Sequence, residues 1–374
     1  SKGKTKDDVP AGEFRAACRA YAEKWVEVQG QEFRNLGIEG EWDNPYLTMK
    51  FESEASIVGE FLRMAMTGSL VRGAKPIMWS PVERTALAEA EVEYHDRKVP
   101  VIWVKFPVEG SDTSGVIWTT TPWTIPANQA VSYNPDISYG LYEVETVMSE
   151  EELGFAPYAK PGEKLVMSDA LADAIRDAAK VSEWTRIADA DPASLHVSHP
   201  LAGLDEFWQH EIPLLAGDHV TDDAGTGFVH TAPGHGADDF EIWMANAREL
   251  EARGIDTAIP FTVADDGFYT KDAPGFEGNQ VITHKGEKGK ANKAVIEALK
   301  ESGALIGLGR LKHQYPHSWR SKKPIIFRNT PQWFVYMDRD IDGKDDTLRI
   351  RALNAIDNTR FVPASGQNRL RSMI

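Results

Sequence analysis

The chain has 374 residues, 42% of them hydrophobic and 26% charged, enough for two or three units that each bury a core. Its net charge of -16 argues against blanket affinity for nucleic acid, and no run of 18 apolar residues suggests a membrane span. One cysteine, Cys18, excludes an internal disulfide framework or a multi-cysteine metal site and fits a reducing cytoplasm.

The start, SKGKTKDDVPAGEF, has no apolar stretch of the signal-peptide kind. The chain begins without Met and reads as a piece of a longer protein. Charge is uneven. Residues 301–374 hold 13 Lys+Arg against 7 Asp+Glu, a net of +6, which leaves -22 on the remainder.

Phe14, Ala17, Cys18, Tyr21, Trp25, Val28 and Phe33 recur at spacings of three and four and predict a helix over 12–37. Cys18 is expected to pack there as a small core residue. A second helix is expected over 54–73, with Ile57, Phe61, Leu62, Met64 and Leu70 inward and Gly73 as its stop. PIMWS and EVEYHD then read as short strands. From Val99 the pattern is β-rich, in VPVIWVKFPV, GVIWTTT, QAVSY and YGLYEVE. SDALADAIRDAAK (168–180) predicts a helix with Ser168 as its N-cap. LHVSHPL and FVHTA read as strands. ADDFEIWMANARELEARG predicts an amphipathic helix over 238–254 with an acidic first turn, and NKAVIEALKESG another ending near Gly303.

Two stretches stand out chemically. WTTTPWTIPANQ (118–129) sets three threonines beside a turn with two prolines. It reads either as a Thr-rich edge strand and turn or as a wall of hydroxyls at a pocket mouth. Strand alternation leaves open which threonine points where. GTGFVHTAPGHGADDFE (225–241) carries His230 and His235 through a Gly/Pro loop into a helix N-terminus bearing Asp238 and Asp239. Backbone N–H groups there suit an anion or polar ligand. The histidines stand five apart across a loop, so no standard zinc pattern results. The basic, aromatic run HQYPHSWRSKKPIIFRNTPQWFVYMD reads either as an RNA-contacting surface or as a strand pair joining two domains.

WTTTPWTIPANQA (118–130) and GTGFVHTAPGHGADDF (225–240) resemble the two hallmark segments of the editing domain of isoleucyl-tRNA synthetases. GEWDNPYLTM, TALAEAEVEY, YPHSWRSKKPIIFRNTPQWF and FVPASGQNRLRSMI resemble the same family. The resemblance implies a mixed α/β fold. A β-barrel-like editing domain with peripheral helices (96–300) would lie between mostly helical connecting segments (1–95 and 301–374) of a split Rossmann-like catalytic domain. The family's HIGH-type and KMSKS-type ATP motifs are absent. The implied segment therefore holds no cofactor, while the parent enzyme uses ATP and Mg. Relatives often carry cysteines near Ser80, Ser318 and Ser321, and their absence here weakens a case for zinc.

The implied function is hydrolysis of mischarged valyl-tRNA(Ile). Isoleucyl enzymes are themselves the standard illustration that one missing methylene limits discrimination to about 150-fold, so a second site must remove the error. By resemblance, Asp239 would bind the substrate α-ammonium and His230 would line the amino-acid pocket. Thr119, Thr120 and Thr121 would contact the aminoacyl-adenosine end and the water, with Trp123 as an apolar wall. Trp118, Thr124, Asn128 and His235 belong to the same matching segments. No metal is expected. The implied partner is the tRNA(Ile) acceptor end, in the cytoplasm, with the chain a monomer. The other reading is a non-catalytic tRNA-docking module that binds through Arg320, Lys322 and Lys323.

Overall fold

The computed structural model describes residues 8–340, 343–344 and 346–374. The first seven residues of the N-terminal stretch lie outside them.

Along the chain run α1 (Ala11–Asn35), α2 (Phe51–Met66), β1 (Leu70–Ser80), β2 (Thr85–Ala86), β3 (Val92–Pro107), β4 (Thr113–Thr119), β5 (Ala130–Tyr133) and β6 (Tyr139–Val147). Then come α3 (Glu150–Leu153), β7 (Lys164–Ser168), α4 (Ala172–Ala179), β8 (Val181–Ala190), β9 (Val197–Ser198), β10 (Glu211–Ile212) and β11 (Leu214–Ala216). The last are β12 (Phe228–Thr231), α5 (Ala237–Ala252), α6 (Ala291–Glu301), β13 (Leu305–Ser318), β14 (Ile326–Val335), α7 (Leu348–Asp357) and α8 (Gly366–Ser372). The described chain divides into two compact units, one from Ser1–Arg72 and Trp333–Ile374, the other Gly73–Gln332.

In the first unit, α1 forms where the apolar spacing predicts it. Yet neither α1 nor α2 buries a side chain, and Tyr21, Trp25 and Cys18 are exposed. Cys18 is therefore not the core residue its position in the stripe suggested. The second helix stops at Met66, earlier than Gly73. Gly68 adopts φ +73, a left-handed turn that glycine takes without steric cost, and Leu70 then enters a strand.

The second unit is mixed α/β. A six-stranded sheet runs β13-β3-β4-β7-β6-β8, with β4 and β7 parallel and its other neighbours antiparallel. A three-stranded sheet runs β11-β5-β12, and a two-stranded one pairs β10 with β9. None closes into the barrel form expected, because β13 and β8 remain the free ends of the largest sheet. The sheet buries apolar side chains on both faces, following the two-residue period of its strands. Ile102, Val104, Phe106 and Ile117 face one core with Trp123, Ile125, Phe228 and Leu299. Val116, Leu165, Met167 and Ile306 face another with Ile175 of α4. EVEYHD and VPVIWVKFP, read as separate strands, are continuous in β3. After α6 ends at Glu301, the C-terminal segment runs through two long strands, β13 and β14, before its helices α7 and α8. Ser168 does not cap a helix through its side chain. It ends β7, a 3-10 turn (Asp169–Leu171) intervenes, and its buried Oγ has no partner.

At Ser80, Ser318 and Ser321 two turns of the same build face each other. Arg84 N donates to Ser80 O at 2.7 Å, and Lys322 N donates to Ser318 O at 2.8 Å. Arg84 and Lys322 adopt φ 51 and 56. Glu83 joins them. Its Oε1 accepts from Ser318 Oγ at 2.7 Å and from Ser321 N at 3.1 Å, while Glu83 N donates to Ser80 Oγ at 3.1 Å. Burial pushes the Glu83 pKa up, but the hydrogen bonds from Ser321 and Ser318 and the charge of Arg320 outweigh it and lower it. Glu83 Oε2 and Ser321 Oγ are buried without partners, but structural zinc takes thiolate or imidazole, so this set of three hydroxyls and one carboxylate does not fit it. A hydrogen-bonded clasp stands in that place.

Candidate functional site

Strand β4 ends at Thr119, and the chain turns through a buried 3-10 segment, Pro122–Ala127. A buried turn with two prolines cannot satisfy its own backbone, so other groups must. Asn292 Oδ1, at the start of α6, accepts from Trp123 N at 3.0 Å. The Tyr269 hydroxyl donates to Trp123 O. His199 Nδ1 accepts from Leu201 N at 3.1 Å, which leaves Nε2–H to donate to Ile125 O at 3.0 Å. Trp208 Nε1 donates to Pro126 O at 3.3 Å. Four side chains from distant segments thus fix the turn.

The turn and β12 share one chain of hydrogen bonds, and its directions can be assigned. Asn128 Nδ2 donates to Ala130 O at 2.8 Å and to His230 Nδ1 at 2.7 Å. The reverse amide orientation would set two oxygens against each other. His230 therefore carries its proton on Nε2 and donates to Thr124 Oγ1 at 3.0 Å. Thr124 Oγ1 spends its own proton on Thr121 O at 2.8 Å. Thr121 Oγ1 must then donate to Thr124 Oγ1 at 3.3 Å and accept from Thr119 Oγ1 at 3.2 Å. Thr119 Oγ1 in turn accepts from Thr121 N at 3.1 Å.

The alternation of faces is thereby resolved. The strand stops at Thr119, so Thr121 turns back onto it. Thr120 and Thr121 both line a narrow cleft with Trp123, Arg97, Lys288 and Asn292. Among the described residues Thr120 has no hydrogen-bond partner for its hydroxyl, and Thr121 keeps one lone pair. Trp118 stands one residue before Thr119 on β4, paired in register with Trp103, so strand alternation sends it to the opposite face.

His230 is buried, and desolvation, reinforced by His235, lowers its pKa to about 3. It is a neutral hydrogen-bond partner with both nitrogens engaged. His235, also neutral through desolvation, donates from Nδ1 to Phe327 O at 2.9 Å and accepts at Nε2 from Thr262 Oγ1 at 2.6 Å. Its ring lies edge-on to Trp123, with centroids 4.9 Å apart. It braces the apolar wall and has no nitrogen left for a ligand.

Asp239 sits in the first turn of α5, and its Oδ2 accepts from Ala232 N at 2.8 Å. It does not cap the helix. A Cβ at residue 236 would press on its carboxyl at 3.0 Å. Protein encloses Asp239 except for a partly exposed edge. Desolvation raises its pKa to about 7, against the lowering by Ala232 N. It is the one carboxyl among the described residues whose pKa is raised toward neutrality, the property of a group poised to meet a cation or a proton. Asn292, Tyr269, His199 and Trp208 support the site, and no sequence motif singles them out.

The chain belongs to the class I tRNA synthetases of the isoleucyl, leucyl, methionyl and valyl group, whose family description matches residues 1–374. Within that class it is similar to the isoleucine--tRNA ligase of Brucella abortus biovar 1 (strain 9-941), 58% identical over 389 residues, all of this chain and 39% of that protein. It is 54% identical to the isoleucine--tRNA ligase of Mesorhizobium japonicum, again over its whole length and 40% of the relative. The chain thus spans about two fifths of the length of the curated relatives it matches. Among solved structures, the GlLeuRS-CP1 crystal structure is 15% identical with a TM-score of 0.39, covering 57% of this chain and 99% of that one. The Plasmodium falciparum cytosolic leucyl-tRNA synthetase editing domain is 11% identical with a TM-score of 0.31, covering 41% and 68%. Both scores are too low to define a shared fold. Among the described residues, no helix is long and apolar enough to cross a membrane.

Proposed function

We propose that this chain carries the editing site of an isoleucyl-tRNA synthetase and hydrolyses the ester of valyl-tRNA(Ile). The observations that support the reading best are the hydrogen-bonded chain from Thr119 through Thr121, Thr124 and His230 to Asn128 and, seven residues after Ala232 and bonded to its N–H, the perturbed carboxyl of Asp239. A hydrolytic pocket of this kind must hold an α-ammonium and set water on an ester carbonyl.

Asp239 is the ammonium partner. A cation beside it would favour its ionised form and a charge-assisted hydrogen bond. Thr120, with its hydroxyl free, and Thr121, with one lone pair left, orient the water. Trp123 and neutral His230 are the rigid walls that limit side-chain size. His230 does not act as the base, because neither ring nitrogen is free. Hydrolysis then rests on positioning and polarisation, with the substrate's own ribose hydroxyl available to assist. The longer protein would join isoleucine to tRNA with ATP.

The test is deacylation of valyl-tRNA(Ile) by this chain beside its Asp239→Ala variant. A loss of tenfold or more in the variant is expected. Equal rates would remove Asp239 from the site.

A further inference from the structure

The threonine cleft opens beside a cluster of cations that no acid balances. Arg97, Lys288 and Tyr315 line the cleft itself. A neighbouring groove shares Val99, Pro100, Lys288 and Asn292 with it and adds Lys98, Lys293 and Arg310. The groove's only acid, Glu297, is occupied by Lys300 at 3.0 Å. Among the described residues Arg97, Lys98, Lys288, Lys293 and Arg310 have no carboxylate within ion-pair distance. Lys288 Nζ donates to Lys98 O at 2.8 Å, and Arg97 lies over the Tyr315 ring at 5.3 Å. Both arrangements leave the positive charges unneutralised.

The cost of this arrangement is visible at Lys288. Burial and the like charges of Arg97 and Arg310 all push its pKa down. In a chain of net charge -16, acids are abundant, yet none pairs with these five cations, and an anion from outside would relieve their mutual repulsion. Its place continuous with the cleft sets where that anion sits relative to the ester.

We propose that this groove is the anchor for the backbone phosphates next to the ester-bearing 3′ nucleotide of the RNA. Arg310 and Lys293 hold the phosphates along the groove, and Lys288 holds the one at its junction with the cleft. This rests on the hydrolase reading above and adds to it the path of the RNA. The anchor lies apart from the exposed turn bearing Arg320, Lys322 and Lys323, where Lys322 is already paired with Glu93 at 2.6 Å.

The experiment uses this chain and an Arg310→Ala/Lys293→Ala variant, since neither residue lines the threonine cleft. Three quantities are measured: binding of an uncharged acceptor-stem minihelix, deacylation of valyl-tRNA(Ile), and hydrolysis of 2′(3′)-O-valyl-adenosine, which has no phosphate. The variant is expected to bind the minihelix and to deacylate the tRNA at least tenfold more weakly. Its hydrolysis of the nucleoside ester should stay within twofold of the parent. The salt dependence of minihelix binding should flatten by about 0.7 in log–log slope for each phosphate that the variant no longer neutralises. Unchanged minihelix binding overturns the anchor and leaves the hydrolase reading standing. Weakened binding with a parent inactive on both esters supports the anchor and overturns the hydrolase reading. An equal loss on both esters overturns the anchor, because the residues would then act on the fold of the cleft.

Discussion

The Asn128 side chain donates to His230 Nδ1 at 2.7 Å, and through that bond it decides which nitrogen of the imidazole carries the proton. The consequence runs on to Thr124 and Thr121, whose hydroxyls can then point only one way. Asn128→Ala would leave a buried imidazole nitrogen and the Ala130 carbonyl without a donor, at about 1–3 kcal/mol each. Denaturant unfolding should show a loss of about 2–6 kcal/mol for the two groups together, and deacylation should fall at least tenfold. Nitrogen NMR of the imidazole should report the Nε2–H form with no titration between pH 5 and about 8, since burial lowers the pKa to about 3. A His230 signal that titrates near its ordinary value would refute the assignment.

On the proposed reading, Asp239 gives the site its pH dependence. Its folded pKa is raised from 3.8 to about 7 by burial. The rate of deacylation at limiting substrate should therefore rise with pH through about 7, as the carboxylate forms, and then level off. Stability runs the other way. The unfolded carboxyl ionises above 3.8 while the folded one holds its proton, so this group's contribution falls as pH rises from about 4 to 7. Asp239→Asn removes that dependence. Relative to the parent it should gain stability between pH 4 and 7 in denaturant melts, while losing the pH step in rate. An identical pH profile of stability in both proteins would refute the raised pKa.

Thr120 and Thr121 should separate activity from stability. Thr120 has no protein partner for its hydroxyl among the described residues, whereas Thr121 links Thr119 to Thr124. Thr120→Ala should lower kcat for deacylation with a change in stability under about 0.5 kcal/mol. Thr121→Ala should lower both, with stability falling by about 1 kcal/mol as its hydrogen bonds are removed. If Thr120→Ala leaves kcat unchanged, the free hydroxyl plays no part in positioning water.

The Glu83 clasp yields a test by metal removal. Exhaustive dialysis against a chelator should leave the melting temperature unchanged, because the hydrogen bonds of Ser318 Oγ and Ser321 N to Glu83 Oε1 and of Glu83 N to Ser80 Oγ hold the two turns. Glu83→Ala should cost about 1–3 kcal/mol, since it frees the buried Ser318 hydroxyl and the Ser321 N–H. The lowered pKa of Glu83 makes its contribution fully present above its ordinary value of 4.5 and lost as pH falls below it. Glu83→Gln should therefore be less sensitive to acid than the parent. A chelator-induced drop in melting temperature would contradict the clasp.

The sequence by itself determined what depends on local pattern. The spacing of Phe14, Tyr21 and Trp25 set α1, the acidic turn and apolar period set α5, and the two marked segments picked out the residues of the proposed site. Side-chain period and turn propensity are properties of a dozen neighbouring residues, so they can be read in one dimension. Even locally some signals competed. Gly68 ended α2 before Gly73 could, and a 3-10 turn intervened where Ser168 was expected to cap.

Tertiary structure decided everything that rests on partners far along the chain. Asn292 reaches Trp123 across 169 residues and Tyr269 across 146, and without them the position of the threonine turn is undefined. The tautomer of His230 and the raised pKa of Asp239 follow from desolvation and from single oriented hydrogen bonds, which no spacing encodes. The free hydroxyl of Thr120 could be known only once the strand was seen to end at Thr119. WTTTPWTIPANQ names the hydroxyls; the packing of β12, α6 and the core against it gives each a direction.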